Sequence, residues 1–120
     1  MSTVMIVDDS PTLRAMIAEA LVKEGLQIVE ACDGLDAKEK IQLSCPDLVI
    51  MDIVMPRMNG YELCRWLKNE FADQRIPVIM CTTKSEEFDR HWGMKQGGDA
   101  YITKPFEPAE LMAKVKELLP

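Results

Sequence analysis

The chain has no apolar run approaching the ~20 residues that a membrane-spanning helix needs; its apolar stretches are short and broken by Asp, Pro or Gly. No leader peptide is expected either, because Met1–Val7 carries no basic residue and runs straight into Asp8 and Asp9. The four cysteines, Cys32, Cys45, Cys64 and Cys81, lie 13, 19 and 17 positions apart, with no CxxC pair and no Cys/His knuckle, which argues against zinc. An even count allows two disulfides, but without a leader the expectation is reduced thiols in the cytoplasm. Basic residues are outnumbered 14 to 20, for a net charge of −6, so a phosphate-tracking nucleic-acid surface is not expected. Neither GxGxxG nor a Walker sequence is present, which removes the usual fingerprints of nucleotide binding. Linkers, repeats and low-complexity segments are also missing.

What is present suits one globular domain over residues 1–120, with 48% hydrophobic and 28% charged residues. A chain of this length buries roughly two-thirds of its unfolded surface, enough for a core without metal or disulfide support. Val4–Val7, Leu48–Met51, Val78–Cys81 and the weaker Ala100–Ile102 read as strands. Three of them are continuous rather than alternating, as strands covered on both faces of a parallel sheet are. Gln27–Ala31 is a fifth strand with a mixed, edge-like pattern. Helical periodicity fills the intervals. Ser10 is an N-cap before Pro11, and Leu13, Met16, Ile17, Ala20 and Leu21 form one face that ends at Gly25. Further helices are expected at about Leu35–Ser44, Tyr61–Phe71, Ser85–Gln96 and Pro108–Leu119. Gly93, inside the fourth, costs roughly 1 kcal/mol against alanine, which makes that helix the candidate for mobility. Strand and helix alternate five times, so the fold class is α/β: a (βα)5 doubly wound parallel sheet built of right-handed crossovers.

Ligands of such sheets bind at the carboxyl ends of the strands. Those ends carry Asp8-Asp9, Asp52, Thr82 and Thr103-Lys104-Pro105. Taken singly, Asp9 or Ser10 can be a helix cap, and a lone Thr or Lys can be solvated surface. Taken together, four such ends would have to align by accident. Clustered carboxylates repel one another, and a bound cation or a raised pKa relieves them. Hard oxygen donors suit Mg²⁺, with Mn²⁺ as a substitute. A nearby Lys completes a site for phosphoryl transfer, in which a carboxylate can be the nucleophile. Asp52, alone on its strand, is best placed for that role.

Val7-Asp8-Asp9-Ser10, Met51-Asp52 with Met55-Pro56 and Asn59-Gly60, Thr82, and Lys104-Pro105-Phe106 resemble the receiver domain of bacterial response regulators, the CheY-like family. The resemblance covers essentially the whole chain and implies strand order 2-1-3-4-5. It implies that Asp52 is the phosphoacceptor, that Asp8, Asp9, Asp52 and the Val54 backbone carbonyl hold Mg²⁺, and that Lys104 pairs with the bound phosphoryl group. Thr82 is similar to the switch hydroxyl and Tyr101 to the aromatic that follows it. A cis Lys104–Pro105 bond is implied as well. Val54 and Lys84 stand where the family modulates dephosphorylation, Thr83 where many relatives carry Ala or Gly, and Ile53 where some carry a reporter tryptophan. The stretch from Asp89 through Trp92 to Gly97 is similar to the stand-alone regulators of type IV pili, twitching and phototactic motility; local packing explains Trp92 and Gly93 equally well. His91 reads as an exposed helical residue.

The expected function is a two-component switch without an output domain, not an enzyme beyond its own phosphorylation and dephosphorylation. Its partners would be a histidine kinase or histidine phosphotransfer domain and a downstream motility protein. The latter would meet the surface of the fourth helix, fifth strand and fifth helix, with Trp92, Tyr101 and Phe106 as anchors. A monomer with no membrane insertion is expected. A phosphate sink for a shared kinase and a phosphorylation-independent scaffold remain alternatives. A haloacid-dehalogenase-like phosphatase would want an acid where Val54 stands.

Overall fold

A computed structural model describes residues 1–120. Strand β1 (Thr3–Val7) is followed by α1 (Pro11–Lys23), β2 (Gln27–Ala31), α2 (Gly34–Leu43), β3 (Leu48–Met51) and α3 (Gly60–Glu70). A 3-10 turn at Ala72–Gln74 then leads to β4 (Val78–Thr82), α4 (Glu87–Lys95), β5 (Ala100–Thr103) and α5 (Pro108–Leu118). The five strands are parallel in the order β2-β1-β3-β4-β5. No helix is long and apolar enough to cross a membrane.

The continuous apolar runs are explained by burial on both faces. Met5, Val7, Val49, Met51, Val78 and Met80 point to one side and pack with Ala37, Ile41, Leu63 and Leu67 of α2 and α3. Their alternates Val4, Ile6, Leu48, Ile50, Ile79 and Cys81 point to the other side, against Ile17 and Leu21 of α1 and Leu111 and Val115 of α5. A strand sandwiched in this way has no polar face to alternate with. The mixed pattern of Gln27–Ala31 belongs to β2 at one sheet edge.

Caps follow the sequence in α1, where the Ser10 side chain accepts from the Leu13 amide and Pro11 occupies the first turn. Asp33 and Asn59 cap α2 and α3 in the same manner. The fourth helix differs from expectation. It starts at Glu87 rather than Ser85, with no side-chain cap, and ends at Lys95 before Gly97, whose φ is 112°. Gly93 is a close-packing residue there. A Cβ at that position would lie 2.7 Å from Met80 Sδ and 3.1 Å from Tyr101 Cε1. The glycine lets α4 settle onto β4 and β5.

β1 pairs with β2 on one side and β3 on the other, so the winding direction reverses there. The crevice at this reversal opens at the carboxyl ends of β1 and β3, the standard ligand position of a doubly wound sheet. Val7 registers with Met51, and the Asp52 amide donates to the Val7 carbonyl, which sets Asp8 and Asp52 side by side at the mouth.

Candidate functional site

The mouth of the crevice holds three carboxylates. One ligating oxygen from each of Asp8, Asp9 and Asp52 lies within 4.8 Å of the others. Asp8 and Asp52 are buried, at 3% and 8% exposure, whereas Asp9 is exposed. Lys104, just past β5, reaches over the end of β4. Its Nζ lies 2.7 Å from Asp8 Oδ2 and 3.0 Å from Asp52 Oδ2. Burial alone would lower the Lys104 ammonium, but its hydrogen bonds to Asp8 and Asp52 outweigh that and hold it above the usual lysine range. Its charge is therefore secure at neutral pH.

Main-chain donors orient the acids. Asp8 Oδ1 accepts from the Ser10 amide at 2.9 Å. Asp52 Oδ1 accepts from the amides of Ile53 and Val54 at 2.7 and 3.3 Å. These bonds turn the other Asp52 oxygen, Oδ2, toward Lys104. Thr82, the last residue of β4, is wholly buried, and its hydroxyl accepts from the Lys84 amide at 3.4 Å. Its carbonyl accepts from the Lys104 amide at 2.8 Å, which ties β4 to the lysine. The Lys104–Pro105 peptide is cis, as the resemblance implied.

The donor set fits a hard divalent cation. Lys104 answers one of three negative charges, and the neighbouring Arg14 is already paired with Glu30 while donating to the Asp8 main-chain carbonyl. Two negative charges are left facing one another on oxygen donors. This arrangement favours Mg²⁺, which takes few carboxylates and keeps waters. Alongside, Leu13, Met16, Thr83, Pro105 and Phe106 line a largely apolar groove of about 330 Å³ that touches Lys104.

Tyr101 departs from its expected part as a surface anchor. It is only 7% exposed, and its hydroxyl donates to the Lys84 carbonyl at 2.7 Å. Burial pushes its phenol up to about 12. The Arg90 guanidinium lies 5.0 Å over its ring. A partner meeting α4 and β5 in this conformation finds Trp92, which is 41% exposed, and Phe88, at 72%, rather than Tyr101. Val54 is exposed beside the acids, and His91 is exposed on α4 as expected.

Two supports escaped the sequence reading. Gly60 packs against the main chain of Asp52: a Cβ there would clash with the Asp52 carbonyl oxygen, and its amide donates to the Ile53 carbonyl. Its place after Asn59 was visible, but not what it touches. Asp33 and Arg57 form a two-pronged ion pair, with Nε to Oδ2 at 2.6 Å and Nη2 to Oδ1 at 2.9 Å. They stand 24 positions apart, and no local pattern links them.

Comparison with known proteins agrees with this geometry. Residues 4–116 match the family described as response regulator receiver domain. The chain is 41% identical to protein PilG of Pseudomonas aeruginosa, over 98% of this chain and 87% of that one. It is 40% identical to protein PilH of the same organism, over 99% and 98% of the respective chains. The chemotaxis protein CheY4 of Vibrio cholerae superposes with a TM-score of 0.92 at 30% identity, covering 99% of each chain. With this match, strand order and cluster of acids in agreement, the chain belongs to the response regulator receiver family.

Proposed function

We propose that this domain is a phosphorylation switch in which Asp52 accepts a phosphoryl group from a phosphohistidine. The observation that carries this is Lys104 bridging Asp8 and Asp52 beside a third carboxylate. That is a charge arrangement with little structural purpose and a clear chemical one.

Asp8, Asp9, Asp52 and the Val54 carbonyl would hold Mg²⁺, which when bound offsets the charge of the incoming phosphoryl oxygens. An Asp52 carboxylate oxygen attacks phosphorus, the N–P bond of the phosphoimidazole breaks, and the imidazole leaves with its electron pair and takes a proton. Ile53 and Val54 amides keep the carboxylate turned for this attack. Lys104 exchanges its contact with Asp52 for one with the phosphoryl group, and Thr82 donates its hydroxyl to the same dianion. Moving Thr82 disturbs the Lys84 segment, whose carbonyl holds Tyr101, so the change is passed to α4 and β5. The donor is a histidine kinase or phosphotransfer protein, and the groove beside Lys104 offers it an apolar footing.

The readout is a protein contact on α4, β5 and α5, in type IV pilus or taxis-type motility control. The likeness to PilG, PilH and a chemotaxis protein supports that assignment. Incubation with Mg²⁺ and acetyl phosphate, followed by intact-mass measurement, tests the chemistry. A single labile phosphate is expected, absent in Asp52→Asn. An unchanged adduct in that variant, or no adduct with any small donor, would overturn the reading.

A further inference from the structure

The loop between β3 and α3, from Ile53 to Asn59, is gripped by the start of α2 at two separate points. Gly34, the first residue of α2, lies so close to Met58 that a Cβ would fall 2.5 Å from the Met58 carbonyl oxygen and 2.7 Å from its Cβ. One residue earlier, Asp33 takes the Arg57 guanidinium on both carboxylate oxygens. Asp33 is 4% exposed and also caps α2, accepting from the Asp36 amide at 2.8 Å. It cannot shift without disturbing the helix.

Arg57 itself has a φ of 67°, a left-handed backbone that side chains with a Cβ seldom adopt. A glycine would meet the turn more easily. An arginine at this position makes sense if its fork to Asp33 does something for the loop that glycine cannot. The same loop carries Val54, and its other side chains Ile53 and Met55 are sunk in the core. Only Met55 and Pro56 separate Arg57 from Val54, so where α2 holds Arg57 bears on where the Val54 carbonyl sits.

We propose that Asp33 and Arg57 form a positioning pair for the metal site, holding the loop against α2 so that the Val54 carbonyl meets the carboxylate cluster. The inference rests on the reading that this carbonyl and Asp8, Asp9 and Asp52 hold Mg²⁺. Neither Asp33 nor Arg57 touches the ion or the phosphoryl group. The pair acts as outer supports of metal ligands do, by fixing where a ligand points.

Calorimetric titration of the full chain with Mg²⁺ alone tests it, using wild type, Arg57→Gly, Asp33→Asn and the double variant. Glycine suits the left-handed turn and asparagine retains a capping oxygen, so metal-free melting is expected to change little. Mg²⁺ affinity is expected to fall about tenfold in each single variant and no further in the double. Arg57→Lys keeps the charge without the fork, and is expected to recover only part of the loss; it also serves if glycine loosens the fold. Single variants with wild-type affinity overturn the positioning role. A wild-type protein that binds no Mg²⁺ overturns the metal site itself, and the inference with it.

Discussion

Asp9 offers a direct test of whether this site is built for a cation rather than for stability. Its carboxylate lies within 4.8 Å of those of Asp8 and Asp52, yet Lys104 bonds only to the other two. At that separation two unit charges repel by about 0.9 kcal/mol in bulk water and about 3.5 kcal/mol at an effective dielectric of 20. Asp9 is exposed, so the lower figure applies, and Lys104 offsets part of it. Asp9→Asn removes the charge at nearly constant shape. The variant is expected to be more stable than wild type by about 1 kcal/mol in a chelating buffer at low salt, which raises the melting temperature by about 4 °C in a domain of this size. The gain should shrink as ionic strength rises. Adding Mg²⁺ should reverse the order, because wild type gains binding free energy that the variant has lost. Scanning calorimetry with EDTA and then with millimolar Mg²⁺ measures both halves. A variant less stable than wild type without metal, or equal Mg²⁺ stabilisation of the two proteins, would refute the electrostatic reasoning.

Other outcomes follow from packing. Gly60→Ala must push a methyl into the Asp52 carbonyl oxygen, and because that atom is backbone the cost is expected to be about 3 kcal/mol in urea denaturation. On the proposed function, the adduct formed with acetyl phosphate should fall with it, since the Asp52 peptide itself moves. Among the thiols, burial pushes Cys64 and Cys81 up to about 12, while Cys32 and Cys45 are exposed. A thiol reagent at pH 8 is expected to label two cysteines in the native protein and four in denaturant. Cys32 should react before Cys45, whose thiol burial also raises.

The end of the sheet opposite Asp52 carries a second polar network. Lys68 of α3 bonds Asp99 at 2.7 Å and the Ile76 carbonyl at 2.8 Å, and Asp99 accepts from the Val78 amide. These bonds anchor the amino end of β4 and the turn into β5. Movement on phosphorylation would then concentrate at the carboxyl end, where Thr82, the Lys84 carbonyl and Tyr101 meet.

Local chemistry made much of this legible in the sequence. Runs such as Leu48–Met51 and Val78–Cys81 announced strands with two covered faces, because burial on both sides leaves no polar alternation. Ser10 and Pro11 announced the start of α1, because capping and a fixed φ act within a few residues. The acids, Thr82 and Lys104 were visible because strand ends in a parallel sheet share one edge. The strand order came from resemblance to a family, since periodicity does not say which strands are neighbours. Tertiary structure alone decided the contacts that span the chain. It brought Arg57 to Asp33 across 24 residues and put Lys104 between two aspartates 52 and 96 positions away. It turned Tyr101 inward beneath Arg90 and gave Gly93 its purpose against Met80 and Tyr101. Sequence determined the elements and the chemical groups at their ends, because those depend on neighbours along the chain. Distances between groups depend on how layers pack, and only the folded protein has those layers.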